Sequence, residues 1–153
     1  MGIKDVAMRV RKSIEIAVPP EKIWPYLVEP EKILAWFITL QNFEYTSQQH
    51  TGVGVRFCWE EKARGSPIKL SFVINEWVEN ERFAFSNVTT NAENGYELTW
   101  ILASTPRGSR FTFAEELELP FGNIGKILGV LARCREKYDI GKRLGKLKRL
   151  VEV

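Results

Sequence analysis

The chain ends in one long helical pattern that follows a run of alternating strand patterns. The helical pattern covers about 35 residues and ends with Leu144-Gly-Lys-Leu-Lys-Arg-Leu-Val-Glu152. Before it, apolar and polar residues alternate over most of the chain, as expected for strands with one buried face. A single terminal helix is the element available to cover that face. The order predicts an α+β fold in which a curved antiparallel sheet wraps round a long C-terminal helix and encloses a cavity.

The strand patterns number seven, and two short helices separate the first from the second. The first strand covers Met8–Val18, and prolines at 25 and 30 shape the short helices at 21–28 and 31–37. The six later strands contain Phe43/Tyr45, Val53–Trp59, Ile68–Ile74, Phe83/Phe85, Leu98–Leu102 and Phe111–Leu119. Short turns join them, so we expect an antiparallel meander. No linker or repeat divides the chain, and we predict a single domain over residues 1–153.

Composition favours a soluble cytoplasmic protein. Apolar residues make up 44% and charged residues 27% of the chain, and no stretch approaches the ~20 apolar residues of a membrane helix. The first twelve residues lack an apolar segment, so we expect no secretory signal. Cys58 and Cys134 are too few for a disulfide framework and lack metal-ligand spacing. We therefore expect reduced thiols and no metal.

Basic charge is concentrated at the end of the chain. Residues 122–153 hold nine Lys and Arg against three Asp and Glu. These cations, including Lys142, Arg143 and Lys146, are scattered round the helical wheel, which favours a solvated outer face over a nucleic-acid surface. Transient contact of the basic helix with an anionic membrane remains a hypothesis.

The order of elements and four local segments resemble a known superfamily. The segments are Val18-Pro-Pro-Glu-Lys-Ile-Trp24 with Pro30-Glu-Lys-Ile-Leu-Ala-Trp36, Glu76-Trp-Val-Glu-Asn-Glu-Arg-Phe-Ala-Phe85, Leu119-Pro-Phe-Gly-Asn-Ile-Gly125 and Leu144–Glu152. Together they resemble the START-like, polyketide cyclase/dehydrase and lipid-transport (SRPBCC) superfamily over essentially the whole chain. The resemblance implies a helix-grip fold, a seven-stranded sheet round the terminal helix, and a ligand pocket that opens near the short helices. It implies no single activity, because the fold hosts cyclases, lipid and hormone carriers, and chaperone activators.

The sequence contains few residues that could take part in catalysis. The chain has one histidine, His50, in a polar turn, and no recognised nucleophile, phosphate-binding or metal motif. We therefore expect no cofactor. Glu115 and Glu76 each fall in step with apolar residues of a strand face, where a buried carboxylate would have a raised pKa and would serve as acid or base. A β-bulge or a strand end would return either to solvent. Tyr138 is the third candidate, for a catalytic or ligand-orienting role.

A second set of residues is expected to line the cavity. Ligand pockets are mostly apolar with few polar groups, and the inward faces of the strands and helix are rich in aromatic residues. The lining set is Trp36, Phe57, Trp59, Phe72, Trp100, Phe113, Leu131, Cys134 and Tyr138.

Three functions remain open at this point. The leading hypothesis is a carrier that holds an apolar small molecule such as a lipid, polyketide or isoprenoid. The alternative is a polyketide cyclase or dehydratase that uses a pocket carboxylate or tyrosine. A protein-binding module like the chaperone activators is the third. The sequence leaves enzymatic activity, ligand identity and the choice between monomer and homodimer undecided.

Overall fold

The computed structural model contains one curved sheet and four helices among the residues that it describes. These residues are 6–62, 67–88, 95–119 and 122–153, without the side chains of residues 6, 7, 119 and 122–132. The elements in chain order are β1 (Val6–Ile16), α1 (Pro20–Ile23), α2 (Pro25–Val28), α3 (Pro30–Trp36), β2 (Leu40–Tyr45), β3 (Arg56–Glu61), β4 (Ile68–Val78), β5 (Arg82–Asn87), β6 (Tyr96–Thr105), β7 (Gly108–Leu119) and α4 (Gly122–Val151).

The sheet is an antiparallel meander that the first strand completes. Its order is β1-β7-β6-β5-β4-β3-β2, so β1 pairs with β7 and β2 lies at the opposite edge. Short turns explain why strands adjacent in sequence are adjacent in space. This arrangement confirms the predicted helix-grip fold with seven strands and a long C-terminal helix.

Proline divides the first of the two predicted short helices. Trp24 ends α1 and also precedes Pro25, the first residue of α2. Because Pro25 has no N–H to continue the ladder, the next bond runs from Leu27 N to Trp24 O at 2.9 Å. The short helices therefore number three, and the buried side chains of Ile23, Leu27 and Ile33 anchor them to the core.

The second half of α4 faces the sheet with an apolar stripe. Ile140, Leu144 and Leu147 are buried, whereas Tyr138 and Cys134 are exposed. These three buried residues are four and three positions apart and therefore share one helix face. The same face carries Arg143, which is only 5% exposed. The expectation that all the basic residues of the helix are solvated is therefore wrong for Arg143.

Polar contacts attach the end of α4 to the end of β1. Glu152 Oε2 accepts a hydrogen bond from Ala17 N at 2.8 Å, and Lys148 Nζ donates to the Glu15 carbonyl at 3.0 Å. Lys148 and Glu152 also form an ion pair. These contacts lower the pKa of the Glu152 carboxyl, first through Lys148 and then through Ala17 N–H. Within the described residues, no helix has both the length and the apolar character that a bilayer crossing requires.

Gly108, at the start of β7, allows the β6–β7 hairpin to approach β1. Its φ is +144°, and a Cβ there would overlap the Ile16 carbonyl oxygen and lie 2.7 Å from Val18 N. We expect Gly108→Ala to lower the free energy of unfolding by about 2–3 kcal/mol, because strained backbone alone costs on the order of 1–3 kcal/mol. Denaturant unfolding would measure the effect.

Gly54 provides the matched control for this substitution. Its φ is +90°, but a Cβ would meet nothing within 4 Å. Gly54→Ala therefore reports backbone strain without the clash, and we expect the smaller loss of stability. Equal losses in the two variants would show that the approach of β7 to β1 is not constrained by Gly108.

Candidate functional site

An aromatic interior lies between the sheet and α4. Trp36, at the end of α3, contacts Trp100 with ring centroids 5.2 Å apart, and Trp59 contacts Phe72 at 4.4 Å. Six residues of the predicted lining set lie in this interior and are at most 1% exposed, namely Trp36, Phe57, Trp59, Phe72, Trp100 and Phe113. The structure thus brings these six together as one packed cluster. Whether they contact a ligand stays a prediction.

The register of β7 places Glu115 on the same inner face. Glu115 lies opposite Val10 on β1 and Leu98 on β6, and neither pairing shifts along this part of β7. Since side chains alternate along a strand, Glu115 stays in step with Phe113 and is 5% exposed. No bulge returns it to solvent.

Glu76 has the opposite outcome. The pairing of β4 with β5 shifts between Ile74 and Glu76, and one extra residue reverses the faces of all that follow. The Glu76 carboxylate therefore faces outward, where Arg82 Nε lies 2.8 Å from its Oε2 and almost half of the side chain is exposed. Trp77 packs against the core instead. The expectation of a pocket carboxylate at Glu76 is not met by this structure.

Glu115 is the carboxyl group with the most perturbed titration among the described residues. Burial raises its pKa from 4.5 to about 8, and the nearby negative charge of Glu136 adds to the shift, against an opposing effect of Arg143. The Tyr96 hydroxyl donates to Glu115 Oε2 at 3.1 Å. Burial and Glu115 raise the pKa of Tyr96 well above its ordinary value. A carboxyl group whose pKa is raised this far can exchange a proton near neutral pH.

Arg143 brings positive charge into the same interior from α4. Its Nη1 lies 3.1 Å from Glu136 Oε1, and its Nη2 donates to Thr39 Oγ1 at 3.2 Å. The guanidinium carbon is 4.4 Å from the centroid of the Phe37 ring, which is a cation–π contact. Glu61 is partly buried, and its burial raises the pKa of its carboxyl group. Glu61 is also near enough to Arg143 for the positive charge to lower that pKa. The acidic cluster is Glu61, Glu115 and Glu136.

Several buried polar atoms in this interior make no hydrogen bond to a described residue. They include Arg143 Nε and Nη1, Glu136 Oε1, Trp59 Nε1 and Trp100 Nε1. Arg143 and Glu136 are close enough for an ion pair but not aligned for a hydrogen bond. The Trp59 indole is near enough to Glu61 to lower the pKa of that carboxyl, but it lacks regular hydrogen-bond geometry. Buried polar groups normally have partners, so these atoms are exceptions in the described part of the interior.

Two other predicted site residues lie outside this interior. Tyr138 is 60% exposed, with Lys142 Nζ 4.7 Å from its ring centroid, and Cys134 is also exposed. The buried face of α4 passes through Ile140 and Leu144, and Tyr138 and Cys134 are on another face of the helix. Their expected placement in the lining is therefore not met. The side chain of Leu131 lies outside the described residues.

The sequence interpretation missed four polar residues of the interior. Tyr96 is two residues before Leu98 on the inward face of β6, and that alternation would have identified it. Glu136 and Arg143 are seven residues apart and share a helix face with Ile140. The helical spacing therefore indicated that they share the buried face, but charged residues are mostly exposed in proteins, so burial was not predicted for them. Glu61 is at the end of β3, where alternation alone does not decide burial.

A separate groove lies beside the short helices. It has a volume of about 430 Å³ and is lined by Val28, Glu29, Pro30, Phe43, Glu44, Tyr45, His50, Thr51 and Trp77. His50 is exposed and stacks on Tyr45, with centroids 4.8 Å apart. Burial, followed by the charge of Glu29, raises the pKa of Tyr45 to about 12. The structure therefore places His50 at a groove and away from Glu115.

The seven-stranded curved sheet and the long C-terminal helix define a helix-grip protein. The family model described as polyketide cyclase / dehydrase and lipid transport matches residues 7–152, and the chain belongs to this family. The suspected superfamily is thereby confirmed. The comparison with curated proteins found no significant sequence match.

Solved structures share the fold at low sequence identity. TTHA0849 from Thermus thermophilus is 21% identical with a TM-score of 0.75, and the match covers 94% of this chain and 96% of that protein. SA2116 from Staphylococcus aureus, a protein of unknown function, is 14% identical with a TM-score of 0.77, covering 97% and 95%. The di-domain ARO/CYC StfQ from the steffimycin biosynthetic pathway is 12% identical with a TM-score of 0.78, covering 97% of this chain and 52% of StfQ. At these identities the likeness shows the fold alone.

Proposed function

We propose that this protein binds a small molecule with an apolar or aromatic body in the interior between the sheet and α4. Such a ligand would be a lipid, a polyketide or an isoprenoid-like compound. The observation that carries the proposal is the set of buried polar atoms without hydrogen-bond partners inside an aromatic interior. A pocket of this composition holds a ligand by apolar contact and orients it by a few polar groups. The family, whose description includes lipid transport, supports the same interpretation.

The first experiment is native mass spectrometry of the purified protein. The same sample is then denatured and extracted with organic solvent, and the extract is analysed by mass. We expect a mass excess in the native protein that disappears on denaturation, with a matching small molecule in the extract. A protein at its sequence mass, with no binding when it is titrated with lipid and polyketide extracts, would contradict the proposal.

A pair of tyrosine variants tests where the ligand binds. Tyr96→Phe removes the hydroxyl next to Glu115, whereas Tyr138→Phe removes the exposed hydroxyl on α4. A ligand that occupies the interior and accepts or shares the hydrogen bond of the Tyr96 hydroxyl would lose on the order of 1 kcal/mol, so we expect Tyr96→Phe to weaken its affinity by about three- to tenfold. Titration calorimetry with the extracted ligand would measure this. The reverse result, with an effect of Tyr138→Phe alone, would assign the ligand to the outer face of α4.

Acid–base catalysis is the second candidate function, and Glu115 is the observation in its favour. A carboxyl group with a pKa of about 8 can exchange a proton near neutral pH, as cyclisation and dehydration both require. StfQ is described as an ARO/CYC protein of a biosynthetic pathway. If the extracted molecule is a reaction product, Glu115→Gln should abolish its formation and leave its binding within about tenfold. Unchanged product formation would exclude Glu115 as the acid or base.

A further inference from the structure

The charges of the interior are unbalanced. Among the described residues there, Arg143 is the cation of the acidic cluster: its Nη1 lies 3.1 Å from Glu136 Oε1, and its charge lowers the pKa of Glu61 and Glu115 against the effect of their burial. Lys12, the inward cation of β1, lies against Gly141. Gly141 is about 200° round the helix from Arg143, so Lys12 approaches the other flank of α4. Even with Glu115 neutral, Arg143 faces two further carboxyl groups.

The hydrogen-bonding groups of the interior that lack partners are mostly donors. Arg143 Nε and Trp100 Nε1 are buried N–H groups without partners, whereas Arg143 Nη1 lies 3.1 Å from Glu136 Oε1 and the Trp59 indole interacts with Glu61. The side chains of Arg143, Trp59 and Trp100 all pack next to Phe37. Its ring centroid is 4.4 Å from the Arg143 guanidinium carbon, 5.2 Å from the Trp59 ring centroid and 6.2 Å from that of Trp100. The interior thus holds two unused donors, Arg143 Nε and Trp100 Nε1, in an environment that is already rich in negative charge.

We propose that the site selects an uncharged ligand whose polar end is a hydrogen-bond acceptor, such as a ketone, lactone or amide carbonyl, and that it discriminates against carboxylates of the same shape. This inference rests on the proposed ligand-binding function and specifies the class of ligand. A carbonyl oxygen accepts from the donors around Phe37 without adding charge. The polar end would face Arg143 and Phe37, and the apolar body would contact the aromatic cluster.

A carboxylate ligand would fit this site poorly for an electrostatic reason. A guanidinium group such as that of Arg143 binds carboxylates well. However, Arg143 Nη1 already lies 3.1 Å from Glu136 Oε1, and Arg143 also interacts electrostatically with Glu61. A further negative charge in the buried interior would meet like charges where screening is weak. An ammonium ligand would avoid that repulsion. It carries no acceptor, however, and would leave Arg143 Nε and Trp100 Nε1 unpaired.

Three naphthalene probes of matched size test the proposal at pH 7. They are 2-acetonaphthone, which is a neutral ketone, 2-naphthoate, which is an anion, and 2-naphthylmethylammonium, which is a cation. Titration calorimetry of the unmodified protein measures the affinity for each. We expect the ketone to bind about tenfold or more tightly than the carboxylate, since both offer similar apolar contacts and differ by a charge.

The outcomes separate this inference from the proposed function. Carboxylate binding that equals or exceeds ketone binding would overturn the inference and leave ligand binding intact, and so would tightest binding of the ammonium probe. If none of the three probes binds and the purified protein carries no ligand, the proposed function fails, and the inference that rests on it fails too.

A conservative substitution locates the selectivity. Arg143→Lys keeps the charge but removes Nε and the planar pair of nitrogens, so we expect ketone affinity to fall about tenfold while carboxylate affinity changes little. Lys142→Gln, on the exposed face of the same helix turn, is the control and should leave both affinities unchanged. A folded Arg143→Lys protein with undiminished preference for the ketone would show that Arg143 does not supply the donors.

Discussion

Replacing Arg143 with methionine should lower the free energy of unfolding by about 3–5 kcal/mol, because removing one partner of a buried ion pair leaves the other charge uncompensated. Arg143 is 5% exposed and faces Glu136, Thr39 and the Phe37 ring. Methionine keeps much of the apolar stem, so the loss reports the charge and its hydrogen bonds more than a cavity. Urea unfolding at pH 7, followed by circular dichroism, would measure it.

Two further variants show whether the loss is electrostatic. Lys142→Met removes the neighbouring exposed cation and should change stability by less than about 0.5 kcal/mol. Adding Glu136→Gln to Arg143→Met removes one of the uncompensated carboxylates, so the double variant should recover part of the lost stability. If the second substitution adds a further loss instead, packing rather than charge explains the importance of Arg143.

Replacing Glu115 with glutamine should change how stability depends on pH. In the folded protein the pKa of Glu115 is about 8, against an ordinary value of 4.5. Between these values the folded state holds a proton that the unfolded state has released, so the free energy of unfolding decreases as pH rises through the window. The decrease from this group is at most about 1.4 kcal/mol per pH unit. Glu115→Gln removes it, and the variant should be the more stable protein above pH 8.

The neighbouring residue supplies the control for this experiment. Glu116 points outward, where Arg9 Nε lies 3.3 Å from its Oε2, so Glu116→Gln should keep the pH dependence of the unmodified protein. Denaturant unfolding at several values between pH 4.5 and pH 9 gives the three slopes. If Glu115→Gln and Glu116→Gln have the same slope, Glu115 titrates normally and the interior is more hydrated than its burial implies.

The fold could be predicted because it depends on local patterns. Alternation defined the strands, short turns defined the meander, and prolines defined the short helices near Trp24 and Trp36. The resemblance to a superfamily then supplied the arrangement of helix and sheet, and the family match confirmed it. The sequence interpretation kept residues 21–28 as one helix, although the missing N–H of Pro25 is a local reason for the division that the structure shows. Each of these features is decided within a few residues of the chain.

The site depends on register, which only the assembled sheet decides. Glu76 and Glu115 have the same pattern in the sequence, and one irregularity in pairing after Ile74 turns Glu76 outward, whereas the unbroken pairing of β7 keeps Glu115 inside. The sequence therefore indicated both carboxylates without distinguishing them. A one-residue shift exchanges the two faces of a strand, and the shift involves partners far along the chain.

The terminal helix shows the same limit. By itself the sequence predicted one long C-terminal helix, and the structure places it at Gly122–Val151. Only the tertiary structure decided that the described stripe of Ile140, Leu144 and Leu147 packs against the sheet, which exposes Tyr138 and buries Arg143. The physical reason is that helical periodicity specifies which residues share a face, whereas the face that is buried depends on the surface that the sheet presents to it.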